Sequence, residues 1–273
     1  MKVWLDGYIL DADQARISVR DHGLTVGDGV FETMKVTAGV PFALSRHLAR
    51  LKESAARLGL SVPDAASLRA AATALIQAHA PGEVGRLRVT VTGGDGPAGT
   101  ERGSAAPTVL MVVGPGSTWA ASTSLATVPW ARNERSAVAG AKTTSYAENV
   151  VALAHAKGQG ASEALFCDTR GNLCEGTGSN VFVVVDGALL TPALSTGCLA
   201  GVTRGLVIEW CGAAEVEVPL SVLDRATEVF ITSSTRDVQS VHAVDRRAYA
   251  GPGSVTAEAV ATFAARSGAD PDP

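Results

Sequence analysis

The chain has 273 residues, of which 46% are hydrophobic and 18% are charged. This balance supports a buried core and argues against a disordered chain. The formal net charge is −4 and no basic stripe stands out, which argues against a nucleic-acid partner. No stretch approaches the ~18 uninterrupted apolar residues of a membrane helix, and Asp6 and Gly7 interrupt the N-terminus before a signal core could form. We therefore expect a soluble, cytoplasmic protein.

The positions of the cysteines and histidines argue against a disulfide-stabilised protein and against a metal-binding protein. The four cysteines form no C-x-x-C pair, and the five histidines show no metal-ligand spacing. We predict reduced thiols and no metal site.

The first half of the chain begins with strands and continues with two helices. The first predicted helix covers residues 45–58, with Ser45 as its N-cap and Gly59 at its C-terminal end. The second follows Asp64 and reaches about residue 79. The predicted strands of this half are residues 3–5, 8–10, 30–36, 86–92 and 108–113.

The second half also mixes strands and helices, without the strict βαβ alternation of a doubly wound fold. The predicted helices are residues 145–157, a helix that starts near residue 201, and residues 255–266. The predicted strands are residues 125–128, 164–167, 181–185, 188–190 and 228–232. We predict a mixed α/β (α+β) fold with a smaller α/β domain over 1–115, a linker at 114–119 and a larger domain over 120–273 that carries Lys142.

Lys142 differs from the other four lysines in its neighbours. It lies between Gly140-Ala141 and Thr143-Thr144-Ser145, and these small residues leave room beside the ammonium group for a bulky planar cofactor. Most lysines are surface charges, and the composition of this segment alone leaves that alternative open.

Four motifs follow one another along the chain in a recognisable order. They are RHLARL at 46–51, GAKTTSY at 140–146, EGTGSNVF at 175–182 and LAGVTR at 199–204. Their order and spacing resemble the class IV aminotransferase family along nearly the whole chain. The resemblance implies the two-domain architecture of fold-type IV enzymes, similar to D-amino acid aminotransferase. It also implies pyridoxal 5'-phosphate as the cofactor, and a homodimer with active sites near the subunit interface.

The resemblance implies a role for three charged residues. Lys142 would bind the cofactor covalently and then transfer protons. Glu175 would pair with the pyridine nitrogen, since an anion favours the protonated ring. Arg50 would bind the phosphate. From the residues alone, Glu175 could also be a solvated turn carboxylate and Arg50 a solvated helix arginine.

The same resemblance places five further residues at the cofactor. Val202 and Thr203 would offer backbone N–H groups at a helix start, where partial positive charge collects. The full set is Asn180, Leu199, Val202, Thr203 and Ser234. From the residues alone, Leu199 could equally be part of the packed core, and Ser234 could simply be a serine at the end of a strand.

Within the family, the short N-terminus and the segments at 28–33 and 142–146 look most like bacterial 4-amino-4-deoxychorismate lyases. We therefore expect a lyase that releases 4-aminobenzoate, a folate precursor, together with pyruvate. Lys142 would remove the proton from the carbon that bears the substrate amine. A branched-chain or D-amino acid aminotransferase on the same scaffold is the alternative.

Four residues are candidates for substrate contacts. Arg236 would bind a substrate carboxylate, with an ion pair to Asp237 as the structural alternative. Arg102 is a second candidate cation, which could come from a neighbouring subunit. Tyr146 would either hydrogen-bond near Lys142 or pack on the following helix, and Phe31 completes the set.

Overall fold

A computed structural model describes residues 1–273, and the chain divides into two compact units. The first unit contains residues 1–117, 141–146 and 270–273, and the second contains residues 118–140 and 147–269. The division predicted from sequence stays a prediction. The segment around Lys142 belongs to the first unit because it hydrogen-bonds to a strand of that unit. No helix combines the length and the apolar character that crossing a membrane would need.

The first unit is one antiparallel sheet covered by helices. Its elements are β1 (Lys2–Leu5), β2 (Tyr8–Asp11), α1 (His22–Thr25), β3 (Gly29–Thr37), β4 (Val40–Pro41), α2 (Leu44–Leu58), α3 (Ala65–Gln77), β5 (Arg86–Thr92) and β6 (Val109–Gly114). The six strands are ordered β2-β1-β6-β5-β3-β4. All pairings are antiparallel, and the β1–β2 hairpin predicted from sequence is confirmed.

Alternation along the strands separates the two faces of this sheet. In β5, Leu87, Val89 and Val91 are buried in the core that also contains Leu48 and Leu51 of α2. Since successive side chains of a strand point to opposite faces, Arg88 and Thr90 lie on the other face. The face of α2 that carries Leu48 and Leu51 is therefore the one that packs on the sheet.

The second unit contains a larger mixed sheet. Its elements are β7 (Ser122–Arg132), α4 (Ala147–Gly158), β8 (Glu163–Asp168), β9 (Leu173–Gly176), β10 (Asn180–Val185), β11 (Ala188–Pro192), α5 (Val202–Cys211), β12 (Ala214–Val216), β13 (Glu228–Ser233), β14 (Asp237–Val244), β15 (Arg247–Ala248) and α6 (Ser254–Ala269). Eight strands are ordered β12-β11-β10-β13-β14-β7-β8-β9, and β15 pairs with β14.

An additional pairing between β9 and β10 closes part of this sheet on itself. That pairing sets Glu175 directly opposite Asn180. One core of the unit contains aliphatic side chains from these strands. Phe182 and Phe230 alternate with them along β10 and β13, and their buried rings stack with centroids 4.8 Å apart. Closure therefore brings two of the predicted cofactor residues to one position of the sheet.

Candidate active site

The backbone around Lys142 is held by two elements of the first unit. The N–H of Phe31 in β3 donates to the carbonyl of Lys142 at 3.0 Å, and the N–H of Thr144 donates to the carbonyl of Gly29 at 2.8 Å. The N–H of Lys142 donates to the Ser54 hydroxyl of α2 at 3.1 Å. Hydrogen bonds from a strand and a helix thus fix the backbone of Lys142, and none of them involves its side chain.

Two aromatic rings surround the Lys142 ammonium group. Its Nζ lies 3.3 Å from the Tyr146 hydroxyl and 4.5 Å from the centroid of the Phe31 ring. The Phe31 and Tyr146 rings meet edge to face at 5.1 Å. Of the two alternatives for Tyr146, the structure shows the hydrogen bond to Lys142, together with a ring contact to Phe31. The amine has no carboxylate partner within this unit.

Arg88 is a cation next to the same phenyl ring. Its guanidinium carbon lies 3.6 Å from the Phe31 centroid, and its Nε donates to the Thr90 hydroxyl at 3.2 Å. The strand register explains the contact, because Phe31 is paired with Thr90 and Arg88 is the diagonal neighbour on that face. Burial lowers the pKa of Arg88, and no carboxylate of this unit pairs with it.

Arg50 of α2 forms a buried ion pair with Glu32 of β3. Its Nε and Nη2 donate to the two carboxylate oxygens at 2.8 and 2.7 Å. Burial alone would raise the pKa of Glu32, but the Arg50 charge and hydrogen bonds from Arg50 and His47 lower it to about 2. Burial also lowers the pKa of His47, so we infer that a neutral imidazole donates from Nδ1 to Glu32 at 2.6 Å. The orientation of the Arg50 guanidinium is thereby fixed.

In the second unit, the Glu175 carboxylate is held from two sides. The N–H of Leu199 donates to its Oε2 at 2.9 Å, and Nε of Arg132 lies 3.2 Å from its Oε1 in an ion pair. Asn180, opposite Glu175 in the sheet, donates from Nδ2 to the Leu199 carbonyl at 2.8 Å. Glu175, Asn180 and Leu199 therefore form one connected group.

Arg132 is a member of this group that the sequence analysis missed. It lies at the end of β7, where its guanidinium carbon stacks 4.2 Å from the Phe166 centroid and its Nη1 donates to Asn149 at 3.0 Å. The Arg132 guanidinium therefore places a positive charge beside the Glu175 carboxylate. The sequence signal was an arginine ten residues before Lys142, but nothing local marked its partner.

The N-terminus of α5 presents backbone donors without a side-chain cap. Gly201 is the N-cap residue and supplies no side-chain acceptor to the first turn. A Cβ at Gly201 would lie 2.0 Å from Oδ1 of Asn180, so only glycine allows this close approach. Val202 and Thr203 follow, both buried. Unsatisfied N–H groups at a helix start form a site suited to an anion such as phosphate.

Three predicted residues remain: Ser234, Arg236 and Arg102. Ser234 lies in the turn between β13 and β14, half-buried. Arg236 lies in the same turn. The sequence left open an ion pair with Asp237, but in the structure Nη2 of Arg236 donates to Oε2 of Glu163 at 2.9 Å. Arg102 is exposed and donates twice to Asp28, at 2.6 Å each. Both arginines therefore already have an anionic partner within their own unit.

The predicted residues are thus divided between the two units. The first unit holds Phe31, Arg50, Arg102, Lys142 and Tyr146, and the second holds Glu175, Asn180, Leu199, Val202, Thr203, Ser234 and Arg236. The structure adds Ser54, Arg88 and Arg132, which contact predicted residues through pairings distant in sequence.

Comparison with known proteins gives consistent matches over most of the chain. The family profile described as amino-transferase class IV matches residues 29–244. A putative branched-chain-amino-acid aminotransferase of Methanocaldococcus jannaschii is 33% identical, covering 90% of this chain and 89% of that protein. A bifunctional aminodeoxychorismate lyase / D-amino acid transaminase of Mycobacterium tuberculosis is 30% identical, covering 90% and 92%. The crystal structure of 4-amino-4-deoxychorismate lyase from Pseudomonas aeruginosa has a TM-score of 0.85 at 31% identity, covering 99% and 100%.

Proposed function

Because the chain belongs to the class IV aminotransferase family, we propose that it is an aminotransferase acting on amino acids, with Lys142 as the residue that moves the proton. Enzymes of this family use pyridoxal phosphate. The family resemblance, the mixed α/β fold and the cofactor predicted from sequence are confirmed. The 4-amino-4-deoxychorismate lyase assignment stays a prediction.

The chemistry of the available groups fits this cofactor. Lys142 offers a primary amine for its aldehyde, and Glu175 offers a carboxylate, held by Arg132 and the Leu199 N–H, for its pyridine nitrogen. Arg50 and the N-terminus of α5 offer donors for its phosphate. When bound, pyridoxal phosphate acts as an electron sink for the substrate carbon that bears the amino group.

The residues of the chain then have separate tasks. With the cofactor bound, Lys142 would accept the proton from that substrate carbon at its Nζ and would deliver it to the cofactor. The Tyr146 hydroxyl, 3.3 Å away, orients the amine. Glu175 would favour a proton on the pyridine nitrogen of the bound cofactor, because an anionic neighbour favours the protonated form.

The observation that supports an amino acid substrate is that Lys142 and Arg88 both contact the phenyl ring of Phe31. Lys142 Nζ is 4.5 Å and the Arg88 guanidinium carbon 3.6 Å from the Phe31 centroid. Arg88 has no anionic partner in its unit, and a guanidinium binds a carboxylate through two parallel hydrogen bonds. We therefore assign the substrate carboxylate to Arg88, in preference to the already paired Arg236 and Arg102.

The second candidate is the lyase. It is favoured by the end-to-end match to the Pseudomonas aeruginosa lyase and by the bifunctional Mycobacterium tuberculosis relative. Its substrate also carries carboxylates and an amine, so Lys142 and Arg88 would have the same tasks. The two reactions differ in their need for a keto acid, because only transamination requires an amino acceptor.

One experiment separates the two reactions. Cofactor-loaded protein is incubated with 4-amino-4-deoxychorismate without keto acid, and in parallel with L- and D-amino donors plus pyruvate or 2-oxoglutarate. Amino transfer without release of 4-aminobenzoate supports the aminotransferase. Stoichiometric release of 4-aminobenzoate and pyruvate establishes the lyase instead. Lys142→Ala must abolish both reactions and the absorbance band of the bound cofactor, whereas Lys52→Ala, at an exposed position of α2, must not.

A further inference from the structure

A buried carboxylate lies between two loops of the second unit. Glu163, the first residue of β8, is 2% exposed. Its Oε1 accepts hydrogen bonds from the backbone N–H of Thr177, at 2.9 Å, and from the Thr177 hydroxyl. Its Oε2 accepts from Nη2 of Arg236 at 2.9 Å. One side chain therefore binds both the loop that follows Glu175 and the turn that contains Ser234.

Arg236 is held on its other sides as well. Its Nη1 donates to Gln239 at 2.8 Å, and its guanidinium carbon lies 3.8 Å from the Trp119 ring. The indole N–H of Trp119 donates to the Thr235 carbonyl at 2.7 Å. Burial lowers the pKa of Arg236, and the Glu163 carboxylate opposes that shift. A guanidinium with a stacked ring and two acceptors is oriented by the protein itself.

The loop after Glu175 packs closely against Glu163. A Cβ added at Gly176 would lie 2.4 Å from the Ser179 hydroxyl and 3.3 Å from a side-chain carbon of Glu163. The Thr177 carbonyl also accepts a hydrogen bond from Asn149 at 2.5 Å. The path of this loop is therefore constrained by its hydrogen bonds to Glu163 and Asn149.

We infer that Glu163 and Arg236 are positioning residues, which fix the Glu175 loop and the Ser234 turn relative to each other for the cofactor. This inference rests on the proposed function, because Glu175 and Ser234 matter only if the cofactor binds there. It assigns Arg236 to the support of the site and not to the substrate carboxylate predicted from sequence.

Because Glu163 and Arg236 neutralise each other's charge, single and double substitutions of this ion pair should have different effects. Removing one partner of a buried ion pair leaves an uncompensated charge, whereas removing both leaves none. Residues that act through one network also show non-additive effects. A pair that positions the loops should therefore show a double variant that is no worse than the more damaged single variant.

The experiment compares Glu163→Gln, Arg236→Gln, the double variant and Arg225→Gln. Arg225 forms an exposed ion pair with Asp186 in the same unit and is the matched control. The measurements are the dissociation constant of pyridoxal phosphate, the pH titration of the absorbance of the bound cofactor, and kcat and KM for an active donor. Both single variants should weaken cofactor binding about tenfold and shift the titration, with KM within about twofold of wild type. The control should match wild type.

Three outcomes overturn the inference. One is a rise in KM for Arg236→Gln at unchanged cofactor affinity, which would mark Arg236 as a substrate residue. The second is unchanged cofactor affinity in both single variants, and the third is a double variant whose losses are the product of the single losses. If a single variant does not fold, the double variant decides by the same comparison of cofactor affinity with KM. Failure of the wild-type protein to bind cofactor would instead contradict the proposed function.

Discussion

Arg88 is a half-buried arginine whose charge no carboxylate of its unit balances. Its Nε donates only to the Thr90 hydroxyl, and its guanidinium lies against Phe31. A charge-assisted hydrogen bond to a substrate carboxylate contributes about 1.5–3 kcal/mol. We therefore expect Arg88→Gln to raise KM for the amino donor about 10- to 100-fold, measured by steady-state kinetics. Arg86→Gln, two residues earlier on the same strand and exposed, is the control; equal KM values in the two variants would contradict the assignment.

Glu32 makes the stability of the first unit depend on pH. Its pKa is about 2 in the folded protein and near 4.5 when unfolded, so the ion pair with Arg50 stabilises the fold above about pH 4.5. That stabilisation, about 3 kcal/mol for a shift of this size, is lost as the pH falls from 4.5 towards 2. Urea unfolding between pH 7 and pH 3 should show this loss.

Glu32→Gln tests the origin of that pH dependence. Without the carboxylate, the buried Arg50 charge loses its partner, and a cost of about 3–5 kcal/mol is expected at pH 7. The variant should also lose less stability than wild type between pH 4.5 and pH 3. Glu101→Gln, at an exposed position, should follow the wild-type curve. A variant that keeps the full wild-type acid dependence would show that other carboxylates cause it.

At the candidate site, the sequence predicted residues that lie in motifs, and it did not predict the residues that contact them through strand pairing or at a strand end. Lys142 and Glu175 were predicted because their neighbours form recognisable patterns. Arg88 and Arg132 lie in segments without such patterns, and their contacts depend on the β3–β5 register and on the end of β7. A one-residue shift in register would turn Arg88 to the opposite face, and sequence alone does not determine the register.

At the level of elements, helix α2 begins with a cap from the far end of the chain. The N-cap position is Ala43, which provides no side-chain cap, and the predicted cap Ser45 lies inside the helix. The Asp272 carboxylate accepts from the Ser45 N–H and hydroxyl, both at 2.7 Å, and from Arg69 at 3.0 Å. Gly59 ends the helix as predicted. Local helix propensity was therefore enough to predict the position of the helix. It could not predict the capping residue Asp272, which lies 227 residues from Ser45 in the sequence.

We expect Asp272→Ala to destabilise the first unit by about 1 kcal/mol, because loss of an N-cap acceptor leaves a helix donor unsatisfied. Hydrogen exchange should increase at the first turn of α2 and not in α5, and urea unfolding gives the loss of free energy. Asp272→Asn keeps an acceptor and should recover most of it. Asp13→Ala, at an exposed position, serves as control. Unchanged exchange in α2 would show that the cap is dispensable.

For the whole molecule, the sequence predicted the fold class but not how the larger sheet closes. Strand β14 was missed because polar residues such as Asp237 and His242 interrupt its apolar pattern. The β9–β10 pairing was missed because it consists of a single residue pair, Glu175 with Asn180. The segment around Lys142 joins the first unit through hydrogen bonds to β3. The last of these features depends on contacts between segments distant in sequence, which composition and periodicity do not encode.

The homodimer implied by the family resemblance has a candidate surface on α4. Val150 and Val151 are 64% and 52% exposed, although a helix normally presents polar side chains to water. We expect light scattering after gel filtration to give twice the chain mass of 27.8 kDa. Replacing both valines by lysine should weaken the dimer by burying charge without a partner, whereas Lys157→Glu, an exposed change at the end of α4, should not. A monomeric wild type would contradict the dimer itself, and a double-lysine variant that stays dimeric would place the interface elsewhere.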